Sequence, residues 1–248
     1  MTGTSAGSIY TEADVYEAIY RGREKDYAGE AAAVARRVRA IAPTASSLLD
    51  VACGTGSHLQ FYADAFGDVA GLDISEDMIA VARKKLPDTP LALGDMRSFD
   101  AGRQYDVVTC MFSSIGYLAD AGELNAALAN FARHLPSGGV AVVEPWWFPD
   151  TFTPGHVGGD VVTVDGRTIS RLSHSVRAES CSRMEVHYSV ASSGEGIRHF
   201  SDVHDMTLFH RRTYEEAFTR AGLTVDYVPS DAGPGLFIGV KRTRPCGS

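Results

Sequence analysis

Short apolar runs alternate with amphipathic segments through the first 150 residues of this chain. Strands are predicted at 48–52, 69–73, 90–94, 105–112 and 140–144, with helical periodicity between them. The run at 105–112 is almost continuously apolar, which is typical of a strand covered on both faces. The rhythm predicts an α/β fold, a mostly parallel sheet with helices on both faces.

The pattern changes after residue 149. From about Asp160 to Phe209 apolar and polar positions alternate with a period of two, and Asp165-Gly166 is a strong hairpin signal. We therefore predict a small antiparallel sheet of about four strands at 150–209, inserted into an α/β domain formed by 1–149 and 210–242. The inserted strands also offer edges and apolar faces for a homodimer.

A glycine turn between the first two predicted strands carries the clearest chemical signal. Asp50 ends the first strand, Gly54 and Gly56 form the turn, and Asp73 ends the second strand. Such a loop lets a nucleoside-bearing ligand approach the backbone, and Asp73 is placed to accept from its ribose hydroxyls. Asp50 is expected to hold the loop by accepting backbone N–H bonds. The third glycine of a dinucleotide fingerprint is replaced by Leu59, which argues against a pyrophosphate-containing cofactor.

Other strand ends supply further candidates, because the carboxyl ends of parallel strands surround one crevice. Asp95 and Met96 follow the third strand, and Met111 ends the fourth. The adjacent Trp146 and Trp147 follow the fifth and suggest a stacking surface for a planar or sugar ring.

Composition narrows the functional classes. The net charge of −8 argues against nucleic-acid binding, which needs a basic face. No apolar run is long enough to predict a membrane span, and the start lacks the pattern of a signal peptide. Four cysteines without a Cys-X-X-Cys pair favour a cytoplasmic protein. His187, His199 and His204 match no ligand spacing, so no metal is predicted.

Several blocks of the sequence resemble known families. Asp50 to Gly56 resembles motif I of the class I S-adenosylmethionine (SAM)-dependent methyltransferases. The blocks Gly94 to Arg97, Cys110 to Tyr117, Val143 to Pro149 and Arg171 to Ser175 resemble the nucleotide-sugar N,N-dimethyltransferases of antibiotic biosynthesis, such as those that make desosamine and mycaminose. The resemblance implies a class I, Rossmann-like methyltransferase fold, SAM as cofactor, and two methylations of the amine of a TDP-linked aminodeoxysugar.

The predictions for individual residues follow from the motifs and from this resemblance. The predicted SAM-binding residues are Tyr16, Arg23, Tyr27, Ala52, Gly54, Gly56, Asp73, Ile74, Asp95, Met96 and Met111. The predicted sugar-binding residues are Tyr10, Tyr20, Glu144, Trp147, Arg171 and His174. Tyr117 lies where relatives carry histidine or tyrosine beside the amine, and it is the predicted catalytic residue.

The expected chemistry is an in-line displacement that needs a neutral amine aimed at the methyl group. Amino pKa values of ~8 to ~10 leave some neutral amine near pH 8, so Tyr117 needs only to orient the amine or relay its proton. Three alternatives remain open: O-methylation of a sugar or small natural product, which requires a true base; a non-catalytic SAM-binding protein; and an NAD-linked oxidoreductase. The sequence leaves the sugar and the position of its amine, C-3 or C-4, open.

Overall fold

The structure, a computed structural model, describes residues 5–6, 8–230 and 233–242. The chain forms two compact units. The α/β unit contains Tyr27–Thr151 and the residues from Thr207 onward, and the antiparallel unit contains the residues up to Asp26 and Phe152–Met206. The elements in chain order are β1 (Ser5–Ala6), α1 (Ala13–Gly22), α2 (Tyr27–Ile41), β2 (Ser47–Val51), α3 (Leu59–Ala65), β3 (Asp68–Asp73), α4 (Glu76–Lys85), β4 (Leu91–Leu93), β5 (Val107–Cys110), a 3-10 helix (Ser114–Tyr117), α5 (Ala121–Arg133), β6 (Val140–Val143), β7 (His156–Val164), β8 (Arg167–Ala178), β9 (Cys181–Ser192), β10 (Gly196–Thr207), α6 (Arg211–Arg220), β11 (Leu223–Val228) and β12 (Leu236–Lys241).

The α/β unit is built on one seven-stranded sheet in the order β11-β12-β6-β5-β2-β3-β4. Strands β6, β5, β2, β3 and β4 pair in parallel, and β12 and β11 close the edge antiparallel. The predicted fold class, a mostly parallel Rossmann-like sheet with a separate small antiparallel sheet, is confirmed.

Alternate residues of the central strands enter two different apolar layers. Leu48 and Val107 pack in the layer with α2 and α3, whereas Leu49 and Val108 pack in the layer with α5 and α6. Successive strand side chains point to opposite faces, so a strand covered on both faces must be apolar at every position. Every residue of β5 and β6 is accordingly buried.

The antiparallel unit is a sheet in the order β1-β10-β9-β8-β7. The predicted hairpin joins β7 to β8 at Asp165 (φ 51°) and Gly166 (φ 72°), where two positive φ values suit the twist of the strands. Strand β7 begins at His156, four residues before the alternation becomes visible in the sequence at Asp160.

Helix α1 belongs to the antiparallel unit, whereas the sequence assigned residues 1–149 to the α/β domain. Val15 and Ile19 pack in one apolar cluster with Ile169 and Val186 of the antiparallel sheet. An amphipathic helix fixes which of its faces is buried but not which sheet covers that face. The predicted boundary therefore differs from the structure at the first helix.

Candidate active site

The loop between β2 and α3 has the backbone expected of a cofactor loop. Ala52, Gly54 and Gly56 have φ values of 57°, 56° and 76°. A Cβ on Gly56 would lie 2.9 Å from Leu86 Cδ1, so this glycine is needed for packing as well as for its φ. A Cβ on Gly54 would meet nothing within 4 Å, so the space beside this backbone is open. The loop thus fits close approach by a nucleoside.

Asp73 holds this loop. Its Oδ2 accepts the Gly54 backbone N–H at 2.9 Å, and its Oδ1 accepts the Ser75 N–H at 2.8 Å. Burial raises the pKa of Asp73, and these backbone hydrogen bonds act in the opposite direction. Each carboxylate oxygen has two acceptor sites, so the side chain keeps capacity for the ribose hydroxyls of SAM. The neighbouring Ile74 is 72% exposed, so its side chain is accessible beside Asp73.

Asp50 does not hold the loop by accepting its N–H groups, contrary to the sequence-based expectation. The carboxylate is 2% exposed and its Oδ1 accepts the Thr109 hydroxyl at 2.7 Å. Burial raises the pKa of Asp50 to about 6, although nearby His58 and the Thr109 hydrogen bond act to lower it. The loop-holding role belongs to Asp73.

Asp95 lies in an ion-pair network that the sequence did not reveal. The Arg97 guanidinium contacts both oxygens of Asp95, and its other arm reaches Glu123 of α5. These hydrogen bonds lower the pKa of Asp95. Glu123 also accepts the Ala119 backbone N–H at 2.8 Å. Arg97 therefore keeps Asp95, a predicted SAM-binding residue, ionised and oriented. Met96, the next residue along, packs against the buried core.

The first turn of α2 and the start of α3 meet through a contact between a carboxylate and a histidine, which was not predicted. Glu30 Oε2 lies 2.7 Å from His58 Nε2, and the His58 ring contacts the Tyr27 ring edge-on at 4.9 Å between centroids. The signal was present in the sequence as a histidine directly after the glycine loop. This contact fixes the predicted SAM-binding Tyr27 beside the end of the loop.

The candidate catalytic residue follows a tight turn after β5. Met111 is buried, and Tyr117 ends the 3-10 helix with 41% of its surface exposed. Glu144, which follows β6, accepts the Phe112 backbone N–H at 2.7 Å. Trp147 is partly buried, and its ring meets that of Trp146 edge-on at 6.5 Å between centroids. The α/β unit therefore brings these residues to the carboxyl ends of β5 and β6.

The inner face of the antiparallel sheet carries a polar cluster around Arg171. The Arg171 guanidinium donates to Ser173 Oγ at 3.1 Å and contacts Met184 Sδ at 3.7 Å. Burial raises the pKa of both Tyr20 and Tyr188, the latter to about 12, and the charge of Arg171 acts against each rise. Within the described residues no carboxylate forms an ion pair with Arg171. A partly buried guanidinium without a carboxylate partner is suited to a phosphate.

Three tyrosines from the first part of this unit and Arg23 form a series of neighbouring side chains. The rings of Tyr16 and Tyr20 lie 4.6 Å apart between centroids and are tilted by 54°, Tyr10 lies 6.3 Å from Tyr16, and Arg23 lies 5.5 Å over the Tyr20 ring. Arg23 also pairs with Asp160 at 3.4 Å. The roles of Tyr16 and Arg23 toward SAM, and of Tyr10 and Tyr20 toward the sugar, remain predictions.

His174 is not brought together with Arg171. The two residues are three positions apart on β8, and side chains along a strand alternate between faces. Arg171 shares a face with the buried Ser173, whereas His174 lies on the exposed face with Leu172. The two predicted sugar-binding residues therefore lie on opposite faces of β8, and the role of each toward the sugar stays a prediction. In the described part of the chain no group of three or more His, Cys, Asp and Glu side chains is arranged to hold a metal ion.

Comparisons with known proteins identify the family of this chain. Residues 48–139 match the family model of a methyltransferase domain. The chain is 59% identical to the dTDP-3-amino-3,4,6-trideoxy-alpha-D-glucopyranose N,N-dimethyltransferase of Streptomyces venezuelae, over 92% of this chain and 97% of that protein. It is 53% identical to the dTDP-3-amino-3,6-dideoxy-alpha-D-glucopyranose N,N-dimethyltransferase of Streptomyces fradiae, over 94% and 91%. It is 44% identical to the dTDP-4-amino-2,3,4,6-tetradeoxy-D-glucose N,N-dimethyltransferase of Saccharopolyspora spinosa, over 97% and 98%.

Solved structures give the same result. The crystal structure of DesVI from Streptomyces venezuelae superposes with a TM-score of 0.90 at 59% identity, over 93% of this chain and 98% of that chain. SAM-bound CalS10, an amino pentose methyltransferase of Micromonospora echinaspora involved in calicheamicin biosynthesis, superposes with a TM-score of 0.84 at 47% identity, over 92% and 96%.

Proposed function

Since this chain belongs to the family of dTDP-aminosugar N,N-dimethyltransferases, we propose that it methylates the amine of a dTDP-linked 3-aminodeoxysugar twice in an antibiotic pathway, with SAM as the methyl donor. The observation that carries the proposal is near-full-length identity of 59% and 53% to two dimethyltransferases whose names specify a 3-amino sugar. The relative named for a 4-amino sugar is less similar, at 44%. The C-3 position of the amine rests on this difference.

The α/β unit supplies the groups that recognise SAM. Gly54 leaves open space beside the loop, Asp73 is fixed by two backbone N–H groups, and Asp95 is held ionised by Arg97. We assign Asp73 to the ribose and Asp95 to the adenine amino group. When bound, SAM supplies a methyl group on a sulfonium, which is an electrophile for an amine. A loop with only two of the three glycines of a dinucleotide site suits SAM, because SAM carries no pyrophosphate that the loop would have to accommodate.

Tyr117 is assigned the orientation of the amine. Tyr117 is 41% exposed at the end of the 3-10 helix. The turn before this helix is held by the hydrogen bond from the Phe112 N–H to Glu144, so the backbone that carries Tyr117 is held in place. Holding the amine in line and excluding water can supply on the order of 7–11 kcal/mol of the barrier. A fraction of the amine is neutral without help near pH 8, so no strong base is required. The methylated nitrogen would be an ammonium, and release of one proton to water returns it to a neutral amine that can accept the second methyl group.

The nucleotide sugar is assigned to the inner face of the antiparallel sheet. Arg171 offers the pyrophosphate a guanidinium that has no carboxylate partner, and the protonated phenol of Tyr20 is a second hydrogen-bond donor on the same side of the sheet. Trp147 and Glu144 remain predicted sugar contacts, with one Glu144 oxygen already engaged by Phe112.

The outer face of the same sheet supports a homodimer. Val161, Leu172 and Ile197 are 72%, 60% and 67% exposed on this face, and exposed apolar side chains of this size suit an interface with a second copy. Arg183 and Glu185 lie on the same face of β9, so a two-fold contact can match opposite charges. Sedimentation should give a dimer for the native chain and a monomer for Leu172→Arg, and a native monomer at all concentrations would refute this assignment.

Localisation in the cytoplasm is part of the proposal. Cys53, Cys110 and Cys181 are free thiols in the structure, as a reducing compartment would keep them. No helix in the described part of the chain is long and apolar enough to cross a membrane.

Mass spectrometry of a panel of dTDP-aminosugars incubated with SAM tests the function. We expect a monomethyl and then a dimethyl product from 3-amino sugars, and slower or no conversion of 4-amino sugars. Faster conversion of a 4-amino sugar would overturn the C-3 assignment. A product methylated on oxygen, or SAM binding without any turnover, would replace the N-methyltransferase with one of its alternatives.

A further inference from the structure

The turn that follows β5 is strained. Phe112 and Ser113 have φ values of 56° and 60°, so two consecutive residues other than glycine adopt the left-handed conformation. This conformation is costly for such residues because Cβ approaches a carbonyl oxygen. It persists only where surrounding contacts hold it, and such strain clusters at functional sites.

Two hydrogen bonds from the segment after β6 hold this turn. Glu144 Oε2 accepts the Phe112 backbone N–H at 2.7 Å, and Ser113 Oγ donates to the Pro145 carbonyl at 2.7 Å. Because β5 and β6 are neighbours in the sheet, both acceptors are anchored by paired strands. The Glu144 backbone N–H itself donates to the Cys110 carbonyl at 2.9 Å, which extends this pairing to the edge of the turn.

The turn sets the positions of the residues on either side of it. Met111 precedes it, and the Ser113 carbonyl accepts the Gly116 N–H at 2.9 Å in the 3-10 helix that ends at Tyr117. Ser113 is 6% exposed, so water has little access to replace its hydrogen bond. We propose that Glu144 and Ser113 are positioning residues, which hold the left-handed turn so that Tyr117 meets the amine in the productive orientation.

Hydrogen exchange of the Phe112 amide tests the contact itself. Followed by NMR in the protein without substrate, Glu144→Ala should exchange this amide about 10- to 100-fold faster, which is the scale of a lost hydrogen bond to a charged group. Asp88→Ala, which removes an exposed carboxylate elsewhere in the α/β unit, is the control and should leave the rate unchanged. An unchanged rate in Glu144→Ala would overturn the proposal.

A matched pair at Ser113 tests whether the backbone conformation is what matters. Ser113→Ala and Ser113→Gly both remove the hydroxyl, but only glycine adopts a positive φ without penalty. We expect kcat of Ser113→Ala to fall about tenfold below that of Ser113→Gly, in line with the cost of the left-handed conformation. Equal kcat values in the two variants would refute a role for the turn.

Kinetics of Glu144 variants separate positioning from sugar contact. The positioning role rests on the proposed function of Tyr117. The hydrogen-exchange experiment needs no catalysis, so failure of the positioning role and failure of the proposed function can be told apart. Glu144→Ala should lower kcat about 10- to 100-fold, a larger effect than any rise in the KM of the nucleotide sugar, and should leave the Kd of SAM nearly unchanged. Glu144→Gln, which keeps an acceptor oxygen, should recover part of kcat. A raised sugar KM with unchanged kcat would make Glu144 a sugar ligand instead.

Discussion

Replacement of the buried Asp50 by asparagine should stabilise the protein at neutral pH. The carboxylate is 2% exposed, and burial raises its pKa from 3.8 to about 6. At 1.36 kcal/mol per pKa unit, this corresponds to about 3 kcal/mol of unfolding free energy lost when the group ionises. Asparagine keeps an oxygen that can accept the Thr109 hydroxyl, so Asp50→Asn removes the charge and keeps the hydrogen bond.

The size of the effect depends on pH. The folded chain binds the Asp50 proton more tightly than the unfolded chain, so stability falls as pH rises from about 4 to about 6, and the full cost is present above that range. Asp50→Asn should therefore match the native protein near pH 4 and exceed its unfolding free energy by up to about 3 kcal/mol at pH 7.

Urea unfolding at several pH values between 4 and 8 measures this difference. The control is Asp88→Asn, an exposed acid whose replacement should leave the difference from the native protein near zero at every pH. Lower stability of Asp50→Asn at pH 7, or a difference that does not change between pH 4 and pH 7, would show that the buried charge is compensated and would refute the argument.

Three further predictions concern the site. Asp73→Ala should weaken SAM binding by about 1.5–3 kcal/mol in calorimetry, the scale of hydrogen bonds to a charged group, while NAD should not bind to the native protein. Arg171→Ala should raise the KM of the nucleotide sugar about tenfold or more with SAM affinity unchanged, whereas His174→Ala, on the opposite face of β8, should leave this KM unchanged. Equal effects of these two variants would refute the assignment of the inner face. Tyr117→Phe should lower kcat by no more than about 100-fold, and complete loss of activity would instead indicate an obligatory base.

Elements whose pattern is local could be predicted closely. Strands β3 (Asp68–Asp73) and β6 (Val140–Val143) lie within one residue of the predicted bounds, 69–73 and 140–144. Alternating strands and helices predict that the strands pair in parallel, because each helix returns the chain to the same edge of the sheet.

Features that depend on tertiary contacts could not be predicted. Neither Phe112 nor Ser113 carries a sequence signal for positive φ, because glycine or asparagine would be the expected residue there. The partner of helix α1 is decided by which sheet leaves a complementary face: a Cβ on Gly22 would lie 2.6 Å from Val162 Cβ, so helix and β7 meet at a contact that only glycine permits.

The register of the strands explains why Asp73, and not Asp50, holds the glycine loop. Asp50 lies opposite Thr109 in the parallel pair β2–β5, and its carboxylate accepts from that residue. On the other side of β2, the Cys53 N–H still donates to the Leu72 carbonyl, so the first loop amide beyond the ladder is that of Gly54. That amide meets Asp73, which ends the neighbouring strand. Asp50 therefore accepts from a buried hydroxyl of β5, whereas Asp73 accepts from the glycine loop after β2. The two acids differ because each faces a different neighbour in the order β3-β2-β5.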